Sequence, residues 1–156
     1  MSPRISITVM ICSLLLGLLG CGGGFQKTIA SVEEMSLTLR GMRGSFVYIF
    51  RWDTKELRRC REVYRGEETV LELEAATPCD RQTMTALMNT CGVPRWDGFH
   101  GKHPKNVQDG IAFIFSATVN GEQAIRAEGS ANFPKGYHEF VRTLDAMLAE
   151  SEIQKS

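Results

Sequence analysis

The sequence has none of the short motifs that mark common catalytic sites. It contains no Gly-x-Ser-x-Gly nucleophile turn, no glycine-rich phosphate loop and no Cys-x-x-Cys pair. It also lacks an excess of charge of either sign, because its 18 basic and 18 acidic side chains cancel. A nucleic-acid-binding surface is net basic, so we expect no nucleic-acid partner. The missing catalytic set favours a non-catalytic protein, and no motif indicates a cofactor.

The chain also has no apolar run long enough to span a bilayer. Its longest run, Ile5 to Leu19, has 15 residues, whereas a spanning helix needs about 20. Arg4 precedes the run, and Gly20 follows it. A basic start, a short apolar middle and a small residue at the exit are typical of an export signal that is removed.

The residues at that exit carry a more specific resemblance. Leu18-Leu19-Gly20-Cys21 resembles the lipobox of bacterial lipoproteins. The resemblance implies a signal peptide over residues 1–20, cleavage before Cys21, and lipid on the Cys21 thiol. The membrane is then the expected partner, with the domain extracytoplasmic, on the periplasmic face of the outer membrane if the cell has one. Glycines 22–24 predict a flexible tether, which we extend over residues 21–34.

The remaining sequence predicts a single α+β domain over residues 35–150, followed by a polar tail at 151–156. Alternating and helical patterns of apolar residues define the elements. The strongest hairpin signal is Asn120-Gly121 between two strand patterns. We expect an antiparallel meander of about six strands with two helices packed on one face. Strands are predicted at 35–41, 46–52, 57–65, 68–75, 111–119 and 122–128, and helices at 79–91 and 137–149.

A turn at Gly66-Glu67 predicts the register of the second hairpin. It places three charge pairs on one face: Arg65 with Glu68, Arg61 with Glu72, and Arg59 with Glu74. Because Tyr64, Cys60, Leu71 and Leu73 share the other face, we expect Cys60 to point toward the core. The next helix is predicted to begin with Thr77 as its N-cap and Pro78 at its first position.

Three cysteines remain after removal of the signal and lipidation of Cys21: Cys60, Cys79 and Cys91. Outside the cytoplasm they allow one disulfide. Cys79 and Cys91 begin and end the same predicted helix, which holds them roughly 18 Å apart. Cys60 is therefore expected in any bridge, with Cys91 favoured slightly over Cys79 as its partner.

The irregular stretch from Val93 to Gly110 is the candidate binding loop, through Trp96, Phe99, His100 and His103. Two histidines three residues apart can share a metal, but zinc needs a third protein ligand. Asp97, Asp109 and His138 are at no diagnostic spacing, and Lys102 works against a cation, so a solvated loop is the favoured interpretation. For Trp96 and Phe99 a place in the core is favoured over an exposed aromatic patch.

The last third of the chain resembles a group of small exported bacterial domains of uncharacterised function. The resemblance is carried by Trp96-Asp97-Gly98-Phe99, Gln108-Asp109-Gly110, the 111–128 hairpin with Gly129, and Asn132-Phe133-Pro134. It implies an α+β fold and no particular chemistry. Three hypotheses remain: a tethered module that binds an envelope protein or ligand, a small hydrolase or metal-dependent enzyme using His100 and His103, and a structural envelope protein.

Overall fold

The computed structural model of the protein describes residues 28–153, with side chains through residue 151. The predicted signal peptide, Cys21 and the last three residues of the predicted tail lie outside the described residues. The fold contains seven strands and two α-helices, with a short 3-10 helix at Val93–Arg95. The strands are β1 (Val32–Gly41), β2 (Gly44–Arg51), β3 (Glu56–Arg65), β4 (Glu68–Pro78), β5 (Phe99–Gly101), β6 (Ala112–Val119) and β7 (Gln123–Ser130). The helices are α1 (Arg81–Thr90) and α2 (Tyr137–Ile153).

All seven strands form one sheet in the order β4-β3-β2-β1-β6-β7-β5. The first four strands form an antiparallel meander, and the β6–β7 hairpin extends the sheet on the other side of β1. The three-residue β5 pairs parallel to β7 at the edge. The predicted α+β class is confirmed, and β5 is an additional short strand that its sequence did not indicate.

The β6–β7 hairpin forms where the Asn-Gly signal predicted it. Its loop carries positive φ at Asn120 (53°) and Gly121 (88°). Glycine adopts this region freely and asparagine more readily than most residues. The turn sets Val119 opposite Gln123, which places Phe113, Phe115 and Ala117 on the buried face.

The sheet has one covered face and one open face. The cross-strand partners show which residues lie on each face. On the covered face a row runs through Leu37, Tyr48, Phe115, Ala127 and Phe99. On the open face the row beside it runs through Leu73, Cys60, Val47, Thr38, Ile114, Glu128 and His100. Because side chains alternate across a strand, every residue of the sheet belongs to one of these two faces.

Both helices pack on the covered face and share a single apolar core with it. α1 contributes Met84 and Met88, and α2 contributes Phe140, Leu144 and Leu148. All five side chains are almost completely buried, and burial of each stabilises the fold by about 1.5–3 kcal/mol. The predicted placement of two helices on one face is therefore confirmed. No helix among residues 28–153 has the length and apolarity that crossing a bilayer would require.

A polar contact fixes α2 against the sheet at the edge of this core. Tyr48 on β2 donates its hydroxyl to Asp145 of α2 at 2.7 Å. Arg59 on β3 donates to the same carboxylate at 3.2 Å. Burial and the neighbouring Asp145 raise the pKa of Tyr48, which therefore stays a donor. The contact identifies Arg59 as a residue of the helix side of β3.

Because Arg59 lies on the helix side of β3, the next residue, Cys60, points to the opposite face. This corrects the prediction that Cys60 points toward the core. The hairpin groups Tyr64, Cys60, Leu71 and Leu73 on one face as expected, but this face is the open one. Cys60 is buried there, with 7% exposure, but it lies outside the core that the helices cover. The arginines and glutamates of the three predicted pairs occupy the helix side, where Arg61 pairs with Glu74 at 2.7 Å. A bulge between Arg59 and Cys60 sets Arg59 opposite Ala75, although Arg59 still reaches Glu74 at 3.3 Å.

The predicted Cys60–Cys91 disulfide is wrong for the same reason. Cys91 lies in the core beneath the helices, while Cys60 lies on the opposite face of the sheet. A disulfide requires Cβ atoms about 3.8 Å apart, which a sheet between them prevents. Cys60, Cys79 and Cys91 are all free thiols in the structure.

The element boundaries need two further corrections. α1 is capped by Asp80, which accepts the Thr83 N–H at 2.7 Å, and not by Thr77. Thr77 and Pro78 continue β4, where they pair with β3. The domain begins earlier and ends later than predicted: Ile29 and Val32 are buried, and α2 continues to Ile153.

Candidate functional site

The antiparallel sheet gives the domain two opposite ends. One end, called the tether end here, holds residues 28–31 before β1, the β2–β3 turn at 52–55 and the β6–β7 turn at 120–122. The other, called the distal end, holds the β1–β2 turn and the 102–111 loop before β6. β1 has ten residues, and at about 3.3 Å per residue it separates the two ends by roughly 30 Å.

Two asparagines fix the chain where it enters the sheet at the tether end. Asn89 near the end of α1 accepts the Ile29 N–H and donates to the Ile29 carbonyl, each at 2.8 Å. Asn120 accepts the Ala30 N–H at 2.7 Å. The chain is thus held from residue 29 onward, so the stretch 29–34 belongs to the domain and not to the tether.

The aromatic residues of the predicted binding loop lie in the core. Trp96 is 1% exposed and donates its indole N–H to the Lys135 carbonyl at 3.0 Å. Its ring packs edge-on against Phe115 and Phe140. Phe99 is half-buried and packs on the same core. Trp96 therefore cannot be an exposed recognition residue, and the favoured place of both aromatics in the core is the one observed.

The two histidines of the loop lie on the open-face side and make separate contacts. His100 pairs through Nδ1 with Glu128 at 2.7 Å. His103 contacts Ser130 Oγ through Nδ1 at 2.8 Å and the Val107 carbonyl through Nε2 at 2.5 Å. His100, His103, Glu128 and Ser130 line one open concavity of about 440 Å³. The third zinc ligand does not join them: among residues 28–153 no three His, Cys, Asp or Glu side chains are grouped to hold a metal.

The contacts of His103 define which ring nitrogen carries the proton. A carbonyl oxygen can only accept, so Nε2 donates to Val107 and is protonated. In the neutral ring Nδ1 then has a lone pair, which accepts a hydrogen bond from the Ser130 hydroxyl. Ser130 and His103 thus have the polarity of a nucleophile and its general base, with the carbonyl orienting the ring. The same contacts also fasten the 102–110 loop to the end of β7.

The distal end carries exposed apolar side chains around a groove. The groove, of about 500 Å³, is lined by residues of the β1–β2 turn and of the segment before β6: Leu39, Gly41, Met42, Arg43, Gly44, Phe46, Asp109, Gly110 and Ile111. Met42 is 86% exposed and Ile111 is 48% exposed. Val107 in the adjoining loop is 37% exposed. Met42 and Ile111 take no part in the histidine contacts and do not belong to the core. The groove was not predicted from the sequence.

The environment of Cys60, Cys79 and Cys91 disfavours their reactive thiolate form. Burial raises the pKa of Cys60 and Cys91, and burial with the neighbouring Asp80 carboxylate raises the pKa of Cys79 to about 11. A neutral thiol is a weak nucleophile, so these three cysteines are poor candidates for a catalytic nucleophile.

Comparison of the chain with protein-family models, with curated proteins and with solved structures finds no match.

Proposed function

We propose that the protein is a lipid-anchored extracytoplasmic binding module that presents its distal end to a protein partner. The observation that carries this proposal is the position of the exposed groove. It lies at the end of the sheet opposite the point where the chain enters the domain. A lipid on Cys21 would hold the tether end near the membrane and turn the groove toward the surroundings.

The length of the tether supports this orientation. Seven residue steps separate Cys21 from Thr28, which at about 3.6 Å per step reach at most roughly 25 Å. The sheet is about 30 Å long between its ends. The tether end therefore stays close to the bilayer, and the groove stands farther out.

The side chains of the distal end define the chemistry of the partner. Met42 and Ile111 offer apolar contact area, and methionine adapts its shape to varied partners. Arg43, Lys102 and Lys105 are exposed basic residues at this end, whereas Asp109 is the acid of the groove. Arg40 is already paired with Glu62. The expected partner is a protein segment with an apolar anchor flanked by carboxylates, recognised as basic clusters recognise acidic motifs.

Selection from a displayed peptide library tests this proposal. Peptides selected on the wild-type protein should carry an apolar residue flanked by Asp or Glu, and they should not bind a Met42→Ser/Ile111→Ser variant. The matched control is Tyr64→Ser, because Tyr64 is 73% exposed outside the groove and its loss should leave binding unchanged. Peptides that bind all three proteins equally, or that carry no acidic residues, would contradict the proposal.

A hydrolase is the second candidate, and the Ser130–His103 contact is the observation in its favour. In such an enzyme Ser130 Oγ would attack a carbonyl carbon while its proton passes to His103 Nδ1. The imidazolium formed would keep its Nε2 hydrogen bond to Val107. Lys102, which lines the same concavity, would face the developing oxyanion.

A fluorophosphonate probe distinguishes this second candidate, because it labels only activated serines. A hydrolase should be labelled in the wild type and in Ser116→Ala, which removes an exposed serine of the open face away from His103. Ser130→Ala and His103→Gln should abolish the label. An unlabelled wild-type protein would leave Ser130 and His103 as a structural fastening of the loop.

A further inference from the structure

The exposed tryptophan at the tether end provides a second surface, separate from the distal groove. Trp52 in the β2–β3 turn is 48% exposed, while Trp96, the other tryptophan of the chain, is buried. The Trp52 backbone N–H donates to the Glu33 carbonyl at 3.0 Å. Glu33 is the second residue of β1 and follows directly on residues 28–31 of the tether end. Trp52 therefore lies beside the point where the chain enters the domain.

The contacts of Trp52 hold its ring in place at that end. The Arg81 guanidinium at the start of α1 lies over the indole ring, 4.4 Å from its centroid. Arg81 also reaches the Glu33 carboxylate at 3.9 Å. A guanidinium over an indole face is a favourable cation–π arrangement. The ring is therefore oriented by its neighbours, yet about half of it remains exposed.

We propose that Trp52 inserts into the headgroup region of the membrane to which the chain is tethered. This inference rests on the proposed lipid anchor. The short tether from Cys21 brings the tether end within roughly 25 Å of the bilayer surface. Tryptophan is enriched at membrane–water interfaces, because its ring is apolar and its N–H is polar. Insertion would orient the domain and keep the distal groove directed outward.

The charges around Trp52 indicate which lipid chemistry it meets. Arg51 is paired with Asp53 at 2.7 Å, and Arg81 with Glu33. Exposed Lys55 interacts electrostatically with the Asp80 carboxylate, which caps α1. Because these charges balance, the surface is suited to a zwitterionic headgroup layer rather than to a strongly anionic one. Insertion should therefore not depend on anionic lipid.

Depth-dependent quenching of tryptophan emission in vesicles tests this inference. The lipidated full chain is bound to phosphatidylcholine vesicles that carry a spin label at a shallow position of the acyl chain. Trp52 should lose emission and shift to shorter wavelength relative to the unlipidated Cys21→Ala protein. Addition of phosphatidylglycerol should change neither effect. Trp52→Phe retains only buried Trp96 and should show no lipid-dependent quenching.

A tryptophan moved to the other end of the sheet is the matched control. Trp52→Phe/Met42→Trp places the exposed indole at the distal end, where no quenching is expected. Equal quenching at both ends, or a vesicle-bound wild type that is quenched no more than Trp52→Phe, would overturn the insertion while leaving the anchor intact. A chain that does not float with the vesicles would overturn both the anchor and the inference.

Discussion

Gly136, directly before α2, is the position where a single added carbon should be most destabilising. Its φ is +87°, a conformation that L side chains rarely adopt. A Cβ there would lie 1.9 Å from the carbonyl oxygen of Cys91, which ends α1. The backbone conformation costs about 1–2 kcal/mol for alanine, and the forced displacement of packed backbone adds about 1–3 kcal/mol. Gly136→Ala should therefore lower the free energy of unfolding by about 2–5 kcal/mol.

Gly66→Ala is the matched control for this substitution. Gly66 also has a positive φ of +69°, but a Cβ there meets nothing within 4 Å. Only the conformational part applies, so its loss should be about 1–2 kcal/mol. Urea unfolding followed by the emission of buried Trp96 measures both losses. Equal losses in the two variants would refute the close contact between the end of α1 and the start of α2.

Four further measurements test other parts of the fold. Asn89→Ala should speed hydrogen exchange at the Ile29 amide, because it removes both contacts to Ile29, whereas Thr90→Ala should not. Trp96→Ala should cost about 3–5 kcal/mol, as truncation of a buried aromatic does, and denaturant unfolding measures it. The raised pKa of Cys79 makes the native state favour the neutral thiol, so its contribution to stability is complete below about pH 9 and is lost as pH rises through about 11. The stability of Cys79→Ala, measured by denaturant unfolding, should fall less over that pH range. A thiol assay on the unreduced, unfolded protein should find three free thiols in the described region: Cys60, Cys79 and Cys91.

Elements with strong local signals could be predicted from the sequence. The Asn120-Gly121 turn and the alternation after Ile111 define the β6–β7 hairpin, and regular apolar stripes define both helices. The turn at Gly66 also predicted the register that sets Arg65 opposite Glu68 and Arg61 opposite Glu72. The ion pairs of Arg65 and Arg61 form instead with Glu72 and Glu74. In each case a turn or a periodic stripe encodes the structure within a few residues.

Features that depend on distant contacts could not be predicted in this way. The hairpin pattern showed that Cys60 and Leu73 share a face, but which face the helices cover is decided by contacts such as Tyr48 with Asp145. β5 forms only because β7 offers it an edge, since three residues carry no periodicity of their own. The distal groove likewise arises from two turns that are far apart in sequence.

Metabolic labelling with a fatty acid is the most direct test of the central claim, that the protein is a lipid-anchored module. The wild-type chain should incorporate the label and fractionate with membranes. Cys21→Ala should do neither, although its domain, which begins near residue 28, should fold unchanged. Equal labelling of the two proteins, or an unlabelled wild type, would contradict the anchor and with it the proposed orientation of the distal end.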